Sequence, residues 1–276
     1  MASISIPNSV ISIGDYAFSD CSALTSIRIP ESVTTIGAGI VTGCTNLTEI
    51  QVEAGNPAYS AVDNILYDKE QTTLIQCLPS KTSVSLPATV TVIGSSAFNN
   101  CTGLTSITLP QSLTTIGDRA FYLCTGLTSI TIGSSTEQIY GDAFSECTNL
   151  KSVSCLAINP PVCMWGSPFD NYDKDLYVPT GSGDKYRNAE VWKEFNITEK
   201  TFSGIHSAET KEARIYTRDH NIVIENALPG TPLSVYNPAG VCIESMEISD
   251  SETEIALPAQ GLYIVKYGDR SIKVVL

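Results

Sequence analysis

The stretch from Leu86 to Thr131 carries one pattern twice. LPATVTVIGSSAFNNCTGLTSIT, residues 86–108, is followed at once by LPQSLTTIGDRAFYLCTGLTSIT, residues 109–131. The two copies place proline, glycine, phenylalanine and cysteine alike, with a period of 23 residues. A repeat of this length is typical of a solenoid, because each coil buries its apolar face only against its neighbours.

The same pattern extends on both sides of this stretch. Units begin at Ile6, Ile29, Leu86, Leu109 and Ile132. The interval from Ile29 to Leu86 is 57 residues, which holds one regular unit and one expanded unit, residues 52–85. We therefore assign residues 1–154 to the repeats.

Each unit contains a short alternating segment, such as Leu24-x-x-Ile27-x-Ile29. Alternation indicates a strand with one face inward, and the proline that follows ends it. Leu127 is predicted to point inward and Thr128 outward. We interpret the glycines (Gly14, Gly37, Gly94, Gly117) as a tight bend and the Ala-Phe-x-x-Cys segment as a short helical turn on the opposite, convex side.

Composition excludes several classes of function. The net charge is −13, and a nucleic acid or an anionic membrane requires a basic partner. The apolar runs are too short to span a bilayer, so we expect no membrane insertion. No signal-peptide pattern is present, and the chain opens inside a coil at Ser3. We expect a fragment from which any export signal has been removed.

The recurring motif I-G-x-x-A-F-x-x-C-x-x-L-x-x-I-x-L-P resembles the BspA-like branch of the leucine-rich repeats. The resemblance covers residues 3–197 with a terminal cap, and it implies a leucine-rich-repeat solenoid. One departure is that Ser32 and Ser112 stand where the better-known repeat has Asn or Cys. The expanded unit, with Asn56-Pro57-x-Tyr59, looks like a variant of this family.

Nine cysteines raise the question of disulfides or metal. Five of them form one column on the coils. We favour reduced, buried thiols over disulfides in this column, because parallel side chains rarely reach the dihedral angle that a disulfide requires. Such thiols are weak hydrogen-bond donors to backbone carbonyl oxygens. No paired Cys-x-x-Cys or Cys/His cluster predicts zinc. The column comprises Cys21, Cys44, Cys101, Cys124 and Cys147.

Catalytic and cofactor motifs are equally lacking. The two histidines, His206 and His220, lie outside the repeats, and no nucleophile elbow, metalloprotease or phosphate-binding motif occurs. The acidic residues of segment 170–175 include calcium-type ligands but not an EF-hand pattern, so we favour a solvated loop. We expect no enzyme, no cofactor and no metal.

The sequence after the repeats divides into three parts. Residues 155–198 resemble the terminal cap of the same family, with a short helix predicted over 184–194. Trp165 and Trp192 are either ligand platforms or core residues, and we favour the core. Residues 199–208 are assigned to a linker.

Residues 209–276 contain seven strand-like runs separated by turn signals, the pattern of a small all-β sandwich. The segments Val235-Tyr236-Asn237 and 261–265, with the ending 273–276, resemble the C-terminal sorting domain of type IX secretion substrates. That resemblance implies export or surface attachment. A plain sandwich module without a sorting role is the alternative.

The resemblance implies an extracellular or bacterial cell-surface adhesion protein whose solenoid binds a protein of a host or a neighbouring cell. A carbohydrate-binding module and a passive surface spacer are the alternatives. Sites of recognition in repeat proteins often lie on irregular insertions and on Tyr and Arg. We therefore predict that a protein ligand contacts residues near the expanded unit rather than the uniform Thr/Ser face of residues 105–131. These residues are Arg28, Glu49, Gln51, Tyr59 and Tyr67. The alternative is that Tyr59 and Tyr67 only pack the insertion onto the solenoid.

Overall fold

The structure is a computed structural model that describes residues 2–202, 214–218, 221–225, 232–248, 252–257, 261–267 and 270–275. The chain forms two compact units, Met1–Ser207 and Ala208–Leu276. The first is a solenoid of stacked parallel coils, which is the predicted fold class. Of the residues assigned to a linker, 199 and 200 belong to a strand, and 203–208 lie outside the described residues.

One side of the solenoid is a parallel ladder built from the leucine-rich strands, here called the first ladder. Alternation fixes its faces: Leu127 is buried and Thr128 exposed, as predicted. The expanded unit interrupts the ladder, which therefore consists of a three-stranded and a six-stranded sheet. The strands of the first sheet are Ala2–Ser5, Leu24–Ile29 and Glu49–Val52. Those of the second are Ser83–Ser85, Ser106–Thr108, Ser129–Ile132, Ser152–Cys155, Asp175–Pro179 and Asn196–Lys200.

A second ladder of short parallel strands runs beside the first. The apolar column that contains Ile93 and Ile116 supplies its buried residues. Its strands are Ser12–Ile13 and Thr35–Ile36 in one sheet, and Val92–Ile93, Thr115–Ile116, Gln138–Tyr140 and Val162–Met164 in another.

The expanded unit is an ordered antiparallel meander rather than an irregular excursion. Its strands, Tyr59–Val62, Ile65–Asp68 and Thr73–Cys77, join the second ladder through Thr73–Cys77, which pairs in parallel with Val92–Ile93. Asn56, buried, donates to the carbonyl oxygens of Pro30 and Val33 and so ties the start of the meander to the preceding coil.

The predicted helical turns on the side opposite the first ladder are wrong, because none of the described residues there is helical. Each such turn has two residues with positive φ four positions apart, for example Arg119 and Leu123. Alternate N–H groups donate to the next coil: Phe98 N to Ala120 O at 2.7 Å, and Phe121 N to Ala143 O at 2.7 Å. An α-helix needs continuous right-handed φ and hydrogen bonds from each N–H to the carbonyl oxygen four residues before it. Here φ changes sign, and the N–H groups that donate within the turn, such as Tyr122 N to Arg119 O at 3.1 Å, reach back only three residues.

The glycine column also differs from its interpretation as a tight bend. Gly117 does not have positive φ, but a Cβ on it would lie 2.7 Å from the backbone nitrogen of Ser95. A Cβ on Gly37 or Gly94 would likewise lie 2.5 or 2.8 Å from backbone atoms of the preceding coil, whereas one on Gly14, in the first coil, would meet nothing within 4 Å. The residue is glycine because two coils approach closely, not because the chain turns sharply.

The core of the solenoid contains a stack of phenylalanine rings. Phe98, Phe121 and Phe144 lie parallel, with centroids 4.8 and 5.2 Å apart. Phe169 of the cap extends the stack at 5.1 Å. The cap thus continues the coils, and its short helical elements are an α-helix, Gly183–Arg187, and a 3-10 helix, Trp192–Glu194, rather than one helix over 184–194.

The second unit is the predicted all-β sandwich. Ile222 and Ile224 of one sheet belong to the same buried cluster as Leu233 and Val265 of the other. The three-stranded sheet contains Arg214–Arg218, Asn221–Glu225 and Glu252–Ala256. The four-stranded sheet contains Pro232–Tyr236, Cys242–Glu247, Leu262–Tyr267 and Arg270–Val275.

Candidate functional site

Three of the five predicted site residues come together on the first ladder. Arg28 pairs with Gln51 across two neighbouring strands, and Glu49 lies on the same face two residues before Gln51. Side chains two apart in a strand share a face, and the buried partners Ile27 and Ile50 direct these three outward. All three are exposed.

Hydrogen bonds hold these side chains in a defined arrangement. Arg28 Nε lies 3.0 Å from Glu53 Oε1, and Glu53 Oε2 accepts from the backbone N–H of Glu31 at 3.1 Å. Gln51 Nε2 donates to Glu49 Oε1 at 2.6 Å. The Arg28 side chain is 66% exposed, so solvent screens the ion pair and its contribution to folding is small. The cluster is therefore ordered without being needed for the fold.

These residues border a cavity of about 460 Å³, here called the ladder cavity. Its lining combines Arg28, Glu49, Gln51 and Glu53 with apolar side chains such as Ile4. Glu53 was not among the predicted residues. The same alternation that connects 49 and 51 includes 53, so the signal was present in the sequence. Two carboxylates and one guanidinium leave an excess of negative charge, which suits a cationic group.

Tyr59 and Tyr67 do not join this cluster. Tyr59 is half-buried, accepts from the N–H of Ile36 at 2.8 Å and donates to the carbonyl oxygen of Thr34 at 3.3 Å, so its hydroxyl fastens the meander to the second ladder. Tyr67 is 1% exposed, and burial raises its pKa to about 12. Tyr67 belongs to the buried core cluster of the solenoid, which favours the alternative that it packs the insertion onto the solenoid.

The outward face of strands Ser106–Thr108 and Ser129–Ile132 in the first ladder is uniform. Ser106, Thr108, Ser129 and Thr131 are exposed and carry only small hydroxyls. Hydroxyl and β-branched residues are ordinary in strands and require no binding role. The long and charged side chains near the expanded unit thus differ from those of these two strands in the structure as well as in the sequence.

The cysteine column is buried as predicted at four of its five positions, but the prediction of a buried thiol is wrong for Cys21, which is exposed. Cys44, Cys124 and Cys147 donate through Sγ to backbone carbonyl oxygens of the preceding coil at 2.9, 3.2 and 3.1 Å. All nine cysteines are free. Hydrogen bonding to a neighbouring thiol, then burial, raises the pKa of Cys101 and Cys124 well above the usual value. Such thiols are protonated and poorly reactive.

The structure also bears on two further predictions, one about segment 170–175 and one about the two tryptophans. Lys174 is buried within segment 170–175, where Nζ donates to Asn171 O at 3.0 Å and lies 3.9 Å from Asp170 Oδ1. The cation beside the Asp170 carboxylate is thus the ammonium group of Lys174. Trp192 is a core residue, 1% exposed, whereas Trp165 is 78% exposed, so the core interpretation is wrong for Trp165. His206 and His220 lie outside the described residues.

Comparison with known proteins bears on the family. The BspA type leucine-rich repeat region matches residues 1–68 and 70–159 in six copies. A leucine-rich repeat protein from Eubacterium ventriosum ATCC 27560 is similar, with a TM-score of 0.53 and 28% identity over 71% of this chain and 53% of that chain. A leucine-rich cell surface protein from Faecalibacterium prausnitzii A2-165 has a TM-score of 0.46 and 25% identity over 73% and 53% of the two chains.

The pneumococcal vaccine antigen PcpA is also similar, with a TM-score of 0.43 and 17% identity over 70% of this chain and 59% of that chain. The matches thus span a little over half of each of these three solved chains. No curated protein matches. In the described part of the chain, no helix has the length and hydropathy of a membrane span. Because the repeat match extends over more than half of the chain, the protein belongs to the BspA-type leucine-rich repeat family.

Proposed function

We propose that this protein is a non-catalytic recognition module of the cell surface, which binds a protein of a host or a neighbouring cell through the ladder cavity. The observation that carries the proposal is the exposed cluster Arg28–Glu53 with Glu49–Gln51, which lies on the same ladder as the uniform Ser/Thr face of residues 105–131. A buried cluster would serve packing, but this one is exposed.

The chemistry of the ladder cavity suggests what the partner presents. Glu49 and Glu53 offer carboxylate oxygens, and Arg28 is the only cation among the lining residues. A lysine or arginine side chain of the partner would replace water at these carboxylates and form charge-assisted hydrogen bonds. The net charge of −13 also favours association with a basic surface. We therefore expect affinity to fall as salt concentration rises.

The test is a surface plasmon resonance screen of the full chain against extracellular matrix proteins and glycans. For the protein that binds, Glu49→Ala and Glu53→Ala should each weaken binding roughly tenfold, about 1.4 kcal/mol, because each removes a carboxylate that faces the cationic group. Thr108→Ala, on a distant part of the same ladder, is the matched control and should leave affinity unchanged. Unchanged affinity in both cavity variants, with the fold intact by circular dichroism, would place binding elsewhere.

For the second unit we propose a sorting role, export or surface attachment through a type IX pathway. The support is its seven-stranded, two-sheet architecture together with the segments Val235-Tyr236-Asn237 and 261–265. The test fuses residues 209–276 to a periplasmic reporter in a type IX-secreting bacterium. Export of the fusion, lost on deletion of 273–276, is the expected result; retention of the intact fusion would contradict the sorting role.

A further inference from the structure

A patch of aromatic and apolar side chains lies where the second ladder ends at the cap. Its last two strands pair Gln138 with Val162 and Tyr140 with Met164. The middle residue of each strand packs toward the core, so by alternation these four side chains share the outer face. Trp165 follows Met164 directly, and its ring contacts that of Tyr140 with centroids 4.7 Å apart and planes at 69°. We call these five residues the aromatic patch.

The aromatic patch is open to solvent. Trp165 is 78% exposed and Val162 is 59% exposed, and the other three residues are half-buried. Isolated apolar residues are ordinary on a protein surface, whereas a contiguous group that includes tryptophan and tyrosine is typical of a recognition site. The patch therefore offers apolar surface to a ligand.

Stacking of the coils does not account for the aromatic patch. Tyr140 lies one period after Gly117 in the ladder, and Gly94 takes the same place one coil earlier. The ladder thus forms in those coils without any side chain at this position. Because the ring of Tyr140 and the indole beside it are additions to the repeat, a binding role accounts for them better than coil stacking does.

The aromatic patch contains no charged side chain, although the net charge of the chain is −13. Burying a charged group against the patch would cost desolvation energy without an ion pair in return. In this respect the patch differs from the ladder cavity, whose lining includes Glu49 and Glu53. We therefore expect a neutral ligand and an affinity that changes little with salt concentration.

The unused hydrogen-bonding groups of the aromatic patch are mainly donors. The Tyr140 hydroxyl donates to Gln138 Oε1 at 3.1 Å, so this acceptor oxygen is engaged. Gln138 Nε2 and the indole N–H of Trp165 have no hydrogen-bond partner among the described residues. Amide and indole nitrogens donate but do not accept. The patch thus suits a ligand that brings acceptors and apolar rings.

A proline-rich segment has this composition. Proline lacks the backbone N–H but keeps its carbonyl oxygen, and its ring is apolar. In the polyproline II helix the carbonyl oxygens make no internal hydrogen bonds, so they are free to accept from a binding surface. Surfaces that bind such segments are lined by aromatic rings. An oligosaccharide fits the patch less well, because each of its hydroxyls also brings a donor.

We propose that the aromatic patch binds a proline-rich segment of another protein in the polyproline II conformation. Proline rings pack against the rings of Tyr140 and Trp165, and carbonyl oxygens accept from Trp165 Nε1 and Gln138 Nε2. This site is separate from the ladder cavity, and the inference does not depend on the ligand proposed there.

The two tryptophans make a direct test possible in the full chain. Acrylamide, a neutral quencher, should quench the exposed Trp165 strongly and Trp192, which is 1% exposed, weakly. The probes are decaproline and an alternating Ala-Pro decapeptide, and the comparison probes are an alternating Gly-Ser decapeptide and cellotetraose. A proline peptide should shield Trp165 from acrylamide and give a saturable isotherm by calorimetry. Its affinity should change by less than about twofold between about 0.05 M and about 0.5 M sodium chloride.

Variants measured by calorimetry then locate the binding. Trp165→Ala should weaken the proline peptide roughly tenfold. Trp165→Phe keeps an aromatic ring but removes the N–H donor, so it should weaken the peptide less than Trp165→Ala does. Both variants should keep the fold, since the side chain is exposed. Tyr177→Ala, which truncates a half-buried tyrosine of the first-ladder strand Asp175–Pro179, is the control and should have no effect.

Several outcomes would overturn the proposal. They are the absence of saturable binding by both proline peptides, equal shielding by the Gly-Ser peptide, stronger shielding by cellotetraose, and unchanged peptide affinity in Trp165→Ala. Glu49→Ala should bind the proline peptide as the unchanged protein does, so this site can hold even if the ladder cavity binds nothing. Loss of peptide affinity in Glu49→Ala would assign the peptide to the ladder cavity and contradict the aromatic patch.

Discussion

Asn56 is the residue on which attachment of the expanded unit depends, and Asn56→Ala is the most direct test of that attachment. The side chain is 1% exposed. Nδ2 donates to Pro30 O at 2.8 Å and Val33 O at 2.9 Å, and Oδ1 accepts from the backbone N–H of Ala58 at 2.9 Å and of Tyr59 at 2.8 Å. All four hydrogen-bonding positions of the amide are filled.

The expected loss of stability in Asn56→Ala follows from these four hydrogen bonds. A protein hydrogen bond contributes about 1 kcal/mol net, so four bonds amount to about 4 kcal/mol. Alanine also leaves buried backbone groups unpaired, at about 1–3 kcal/mol each where water does not enter. We expect Asn56→Ala to lower the free energy of unfolding by about 4 kcal/mol, measured by urea unfolding followed by far-UV circular dichroism. Asn56→Asp retains the accepting oxygen but places a carboxylate against two carbonyl oxygens, and should be comparably destabilising.

Asn149→Ala is the matched control. Its Nδ2 also donates to a carbonyl oxygen of the preceding coil, Thr125 O at 2.7 Å, but the side chain is exposed. Water replaces that bond after truncation, so the loss should be below about 1 kcal/mol. If Asn56→Ala and Asn149→Ala cost the same, or if Asn56→Ala costs less than about 1 kcal/mol, the buried amide does not fasten the meander as argued.

The other predictions concern close packing, thiols and pH. Gly117→Ala should destabilise by about 1–3 kcal/mol, since its Cβ would lie 2.7 Å from backbone, whereas Gly103→Ala meets nothing nearer than 3.5 Å; equal urea midpoints would contradict this. Cys21 and Cys242, the exposed thiols, should react first with a thiol reagent, and all nine should react after denaturation without reductant; fewer than nine would reveal a disulfide. Burial raises the pKa of Tyr67 from 10.0 to about 12, so folding favours the protonated phenol. The contribution of this phenol to the free energy of unfolding is full below about pH 10. It is lost as pH rises toward 12, by roughly 1.4 kcal/mol per pH unit. Unfolding in urea at pH 9–12 should show that loss, and Tyr67→Phe should reduce it; identical slopes would exclude Tyr67 as the cause.

The solenoid could be predicted from the sequence, because the repeat encodes the fold locally. Each unit carries the same alternation, and alternation alone decides that Leu127 faces inward and Thr128 outward. Cysteines spaced by one coil necessarily stack, which is why the thiol column could be predicted. The strands of the second unit were predictable for the same reason, since period-two patterns and turn residues are local signals.

The sequence did not determine the conformation of the turns or the exposure of single aromatic residues. The segment around Phe121 lacks a helix because its N–H groups find acceptors one coil away, and that choice depends on the neighbouring coil. Tyr67 and Trp165 are both large aromatics outside the regular repeat, yet one is buried under the meander and the other is open to solvent. Burial is a property of what packs around a side chain, and Tyr67 shares its buried cluster with residues of later coils such as Phe98. Which of the predicted residues form the candidate site is therefore a property of the tertiary structure.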